Sequence, residues 1–233
     1  MFIFAHAFLG VLIGLGFWQI TGDRRVLPLC TLCAVLPDLL DKPLALLFSG
    51  LFGTGRTIAH TLLFFSLVFI AGLLVWQYRH TLLGMACACC ILSHQVLDAM
   101  WSVPATWFFP FCGPFPTFMI PDYVGHYFWL EISALSEWIF AFACIIILIL
   151  WNMDMPELPF AVLIKQRVAA LQIFAAFLLG VMGVYLIVFG PAAVPHAFFA
   201  PTYDPITDIM AGIMALCGAV VLVKWPVSAT VPD

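Results

Sequence analysis

"LLFFSLVFIAGLLVWQYRHTLLGMACACCILSHQVLDAMW", residues 62–101, decides the fold. It is almost all apolar, and its polar break at Arg79 and His80 separates two longer apolar runs, 57–78 and 81–101. A helix needs about 20 apolar residues to cross about 30 Å of hydrocarbon, so each run reads as a membrane span. Further runs lie near 2–20, 127–151, 169–190 and 207–224, with a shorter one at 26–41. The expectation is an all-α polytopic membrane protein, a bundle of about seven transmembrane helices within a range of six to eight.

Composition supports this. Of 233 residues, 65% are hydrophobic and only 9% charged, with a mean hydropathy of +1.15, which no ordinary soluble domain approaches. The net charge of -4 is small and scattered, so it makes no case for nucleic acid or a polybasic lipid-binding tail. The N-terminal run lacks a basic n-region and a small-residue cleavage site, and it reads as a retained first span. Cys30, Cys33, Cys87, Cys89, Cys90, Cys144 and Cys217 fall within apolar helical runs, where cysteine serves as a small hydrophobe. The Cys30-x-x-Cys33 pair is read the same way, ahead of a redox or zinc role.

The connecting stretches differ in kind. "PLALLFSGLFGTG", residues 43–55, starts with proline and ends in glycine, which suits a short interfacial or re-entrant helix. Residues 102–123, rich in proline and aromatics, suit an ordered cap at the membrane surface. With seven spans, Arg24, Arg25, Arg79, Lys165, Arg167 and Lys224 fall on one side, and Lys42 and Arg56 on the other. The positive-inside rule then puts the N-terminus outside and the C-terminus in the cytoplasm, with a prokaryotic plasma membrane as the default location.

That topology gathers the polar residues at one outer level. His6 lies near the outer end of the first span, Asp38 and Asp41 close the second, and His60 opens the third; His94 and Asp98 close the fourth, while His126 and Glu131 open the fifth. An ionisable residue in a membrane helix costs on the order of 2.5–3.5 kcal/mol on insertion scales, so several at one depth need a common reason. His94 and Asp98, at i and i+4, share a helix face with Cβ atoms about 5–6 Å apart, which suits joint coordination of a cation. Asp38 and Asp41, at i and i+3, can do likewise. Imidazole nitrogens mixed with carboxylate oxygens favour zinc, manganese or iron(II) over calcium. His80 and His196 read as surface residues.

"LPDLLDKP" (36–43), "GRTIAHTLL" (55–63) and "SHQVLDAMWSVPATWFFPFCGPFP" (93–116) together resemble the YdjM-like membrane-bound metal-dependent hydrolases over roughly residues 1–130. The resemblance implies a divalent metal, zinc favoured and manganese or iron as the other candidates, held by His6, Asp38, His60, His94 and Asp98. Where many members read H-R-G-x-T-H, this chain has Gly55, Arg56, Thr57, Ile58, Ala59 and His60, so one histidine is missing. Where they read L-P-D-x-D, Leu40 takes the second carboxylate's place and Asp41 follows it. On this reading residues 1–130 carry the metal-site core and 131–233 complete the same membrane domain. A more distant similarity, to zinc-dependent phospholipase C and related nucleases, points to phosphoester cleavage.

The expected function is therefore hydrolysis of a phospholipid or other lipid-linked phosphoester at the outer membrane surface. Arg56 grips the anion, with Lys42 as the other outer cation, and Asp41 or Glu131 serves as general base. Two other classes compete with it. A transporter or ion relay needs polar residues continuing to the cytoplasmic side, and the inner halves of spans three to five are nearly all apolar. A non-catalytic scaffold, its metal tying helices together, predicts loss of folding when ligands are replaced.

Overall fold

The computed structural model describes residues 3–48, 55–116, 123–152, 161–190 and 204–225, and all regular structure among them is helical. Each apolar run becomes a helix. The first two are α1 (Ile3–Thr21) and α2 (Val26–Leu47); a single 3-10 turn (Ile58–His60) leads into α3 (Leu62–Arg79), and α4 (Leu83–Leu97) follows. A second 3-10 turn (Met100–Ser102) and the short α5 (Pro104–Trp107) precede α6 (Tyr123–Ser133), α7 (Leu135–Asn152), α8 (Ala161–Phe189) and α9 (Pro205–Lys224). Among the described residues α1, α3, α7, α8 and α9 are long and apolar enough to cross a membrane, while α4 is apolar but shorter. The protein is an all-helical membrane protein.

Contacts divide the chain into two compact units, Met1–Ser133 and Ala134–Asp233. In the first, α1 packs on α2, α3 on α4, and α4 on both α1 and α2. The connections at Gly22–Arg25 and His80–Leu82 are short, so each of these pairs is an antiparallel hairpin. Lipid tails are as apolar as leucine, so helices associate here by close packing. A Cβ on Gly10 would lie 2.7 Å from both the Ala34 Cβ and the Cys30 carbonyl oxygen, and one on Gly84 would lie 2.6 Å from the Gly72 Cα. Both seams therefore depend on glycine.

In the second unit α8 packs against α7 and α9. Asp204 caps α9, accepting from the backbone N–H groups of Ile206 and Thr207 at 3.3 Å each, and Pro205 occupies the first turn, where a missing N–H costs nothing. Glu137 and Asp208 are buried within this unit.

Two boundaries differ from the sequence reading. Helix α2 does not stop near residue 41: it runs through Pro37 and Pro43 to Leu47, taking in the start of the segment expected to be a separate interfacial helix. Residues 49–54 of that segment lie outside the described residues. The single run at 127–151 is interrupted at Ala134, between α6 and α7. Of the expected cap, residues up to Pro116 are described: α5 and an aromatic turn in which the Phe109 and Phe115 rings stack with centroids 4.3 Å apart.

Candidate metal centre

The hairpin geometry brings one end of each of α1, α2, α3 and α4 together. His6 sits one turn into α1, Asp38 and Asp41 lie in the last turns of α2, His60 ends the turn before α3, and His94 and Asp98 end α4. All six are buried. One ligand atom from each of Asp38, His60, His94 and Asp98 lies within 4.8 Å of every other.

Two hydrogen bonds set the imidazoles. The Nδ1 of His60 donates to Asp41 Oδ2 at 2.7 Å, and the Nδ1 of His94 donates to the Ala34 carbonyl at 2.7 Å. With those protons assigned from their partners, both Nε2 atoms carry lone pairs, and they face each other at 3.2 Å. His60 Nε2 is also 3.7 Å from Asp38 Oδ1 and 3.6 Å from Asp98 Oδ2. Those two carboxylate oxygens are buried without a hydrogen bond. Arg56 and Lys42 each pair with one of these two carboxylates, and the lone pairs and anionic oxygens that converge between the imidazoles offer a further place for a proton or cation.

Such a cation fits by size. Zinc bonds of about 2.0–2.1 Å in a tetrahedral set put donor atoms about 3.3 Å apart, which the separations of 3.2, 3.6 and 3.7 Å approach. Histidines that give their second ring N–H to a carboxylate or a backbone carbonyl are the usual supported form of metal ligand. The site therefore suits a divalent metal.

The remaining predicted residues stand around that cluster. His6 stacks on His94 with ring centroids 3.8 Å apart, and its Nε2 is 3.1 Å from Asp98 Oδ1, beside the four-residue group rather than in it. Asp41 is engaged on all sides: besides His60 Nδ1 it accepts from the backbone N–H groups of Thr57 at 2.7 Å, Ala59 at 3.1 Å and His60 at 3.3 Å. Leu40, where the related pattern has a carboxylate, faces outward. Arg56 Nε lies 3.1 Å from Asp98 Oδ2, and Lys42 Nζ 2.7 Å from Asp38 Oδ2. Both cations are partly exposed, so they border the centre on its open side. Glu131 accepts the Ile3 backbone N–H at 2.6 Å, at the start of α1. The side chain of His126 lies outside the described set.

Two supporting residues carried no signal in the sequence reading. Buried Gln95 donates to the carbonyls of Ala59 and Thr61 at 3.2 and 2.9 Å, and its Oε1 accepts from Trp107 Nε1 at 3.0 Å. It ties α4 to the turn bearing His60 and to α5. The S-H-Q-x-x-D spacing put Gln95 beside a candidate ligand, but its role depends on contacts 34 and 36 residues away.

A helical membrane protein with a buried histidine and aspartate centre that could hold metal is the class these observations define. Residues 1–192 match the YdjM inner membrane protein family, and the chain belongs to it. The match reaches well beyond the first 130 residues, into α8 and past its end. No curated protein and no solved structure matches the chain.

Proposed function

We propose that the protein is a metal-dependent hydrolase that cleaves a phosphoester of a lipid or lipid-linked substrate at the extracytoplasmic membrane surface. One observation carries the reading: Lys42 and Arg56, both partly exposed, border a buried cluster of two imidazole nitrogens and two carboxylate oxygens spaced for one cation. Asp38, His60, His94 and Asp98 would hold the metal. When bound, a divalent metal lowers the pKa of a water ligand toward about 7 and polarises a phosphoryl oxygen.

The chain's own residues divide the remaining work. Arg56, with its planar fork, and Lys42 bind the anionic oxygens of the substrate. Asp41 and the Ala34 carbonyl orient the two imidazoles. Asp41 has its oxygens committed to four donors, so it acts by positioning His60 rather than as the general base. Glu131, held to the backbone of Ile3, likewise supports the start of α1. His6 steadies Asp98. The aromatic turn after α5, where Phe111 is 90% exposed, meets the headgroup region.

Charge in the first unit supports the orientation. Arg24, Arg25 and Arg79 lie at the end away from the cluster, which by the positive-inside rule favours a cytoplasmic side for that end and an outer side for the cluster. The experiment is elemental analysis of the purified full chain, followed by a panel of phosphodiesters and phospholipids with and without chelator. Stoichiometric Zn, Mn or Fe, lost in His94→Ala, with chelator-sensitive release of phosphate or alcohol, is the expected result. Substoichiometric metal unchanged by His94→Ala refutes the centre, and full metal with no turnover across the panel refutes the hydrolase.

A further inference from the structure

The two cations beside the centre bear on metal binding as well as on substrate. Lys42 follows Asp38 by one helical turn, with its Nζ 2.7 Å from Asp38 Oδ2, and Arg56 Nε lies 3.1 Å from Asp98 Oδ2. Each of the two ligand carboxylates thus has a cation at contact distance. Neither of those oxygens accepts a hydrogen bond, so what the cations supply there is charge rather than a directed bond. Their side chains are 20% and 24% exposed, buried enough for the charge to be poorly screened and open enough for an anion to reach. Both are held in place. Lys42 stands on α2, and the Arg56 carbonyl accepts from Thr106 Oγ1 at 3.4 Å while the next residue, Thr57, donates its N–H to Asp41 at 2.7 Å.

We propose that Lys42 and Arg56 couple the metal to the substrate's oxyanion: by themselves they oppose a divalent cation at Asp38, His60, His94 and Asp98, and an oxyanion bound to them lifts that opposition. This coupling rests on the metal centre and the anion grip proposed above, but not on turnover.

The charges give its sign. With the imidazoles neutral, Asp38, Asp41 and Asp98 carry three negative charges against the two positive ones of Lys42 and Arg56. The group is one negative charge from neutrality, and a divalent cation overshoots to one positive charge. A phosphodiester monoanion restores balance, and an unbalanced charge is costly in a largely buried group. Coulomb repulsion falls only as the inverse of distance, so cations touching the ligand oxygens act on any ion those oxygens hold. Metal therefore improves the site for the anion, and by linkage the anion improves it for metal by the same factor. A purely structural role has the opposite sign, because cations that only fixed the carboxylates in place would loosen the metal when removed.

The test measures binding of zinc, which outbinds manganese and iron(II) at mixed nitrogen and oxygen sites, to the purified full chain by chelator competition at fixed ionic strength. Dimethyl phosphate should tighten zinc binding to the wild-type chain about tenfold relative to chloride. Lys42→Gln and Arg56→Gln should each bind zinc more tightly than wild type without the phosphodiester and gain less from adding it, whereas Lys42→Arg and Arg56→Lys, which keep the charge, should match wild type. Unchanged or weaker zinc binding in the Gln variants overturns the coupling and leaves the centre standing, as does a wild-type affinity that dimethyl phosphate does not move. That last comparison needs no variant, so it decides the matter even where a substitution prevents folding. A wild-type chain that takes up no zinc refutes the centre itself, and the coupling with it.

Discussion

Asp41 shows how one carboxylate organises a loop. Its oxygens collect three backbone N–H groups from residues 57–60 and the His60 ring, so the turn that delivers His60 is wrapped around the end of α2. Asp41→Asn keeps the shape but removes the anion, and metal affinity should fall about 10–100-fold, read by competition with a chromogenic chelator. Gln95 supports the same turn from the other side. Trp107→Phe strips the donor from its Oε1 and should lower stability by about 1–3 kcal/mol, seen as a reduced melting temperature with metal still bound. Protons compete with metal for the imidazoles and carboxylates, so loading should weaken as pH falls and recover as it rises. Equilibrium dialysis across pH checks the sign. The clustered residues were legible because buried charges in an apolar chain are conspicuous, and His94 and Asp98 share a helix face by spacing alone. Whether a given carboxylate meets a metal or a backbone turn was not legible. Asp38 and Asp41 are one turn apart and equally buried, and only the approach of residues 57–60 separates their roles.

At the level of the element, the α3–α4 hairpin is held at its crossing by two glycines. Gly84→Leu drives a side chain into the Gly72 backbone, and α3 must move away from α4. Because His60 precedes α3 and His94 ends α4, that variant should lose both thermal stability and bound metal. Gly16→Ala, where a Cβ meets nothing within 4 Å, should change neither. Paired thermal and elemental measurements separate the two outcomes. Hydropathy located the long helices here, yet it missed the short α5, the split between α6 and α7, and where α2 stops. Proline usually ends a helix, but α2 continues through Pro37 and Pro43, and the break at Ala134 falls inside a run read as one span, between Glu131 and Glu137. Helix ends depend on the packing of neighbours, which hydropathy does not record.

For the molecule as a whole, the orientation proposed above is testable through its own thiols. Cys112 is exposed in the turn after α5, in the loop expected at the outer surface. A membrane-impermeant maleimide should label it in intact cells, whereas a cysteine placed at Gly22, in the opposite connection, should react only after permeabilisation. The reverse pattern inverts the topology. The spread of the cluster along the chain also bears on how the protein is made. Its residues run from His6 to Asp98 and are shared between two hairpins. The first hairpin therefore enters the bilayer with Lys42 paired to Asp38 but with His6 and Asp41 lacking their partners, and the four-residue cluster is incomplete until α4 has left the ribosome and taken its place. A metal held by that cluster would therefore be taken up only after both hairpins are in place, while α7 to α9 are still to follow.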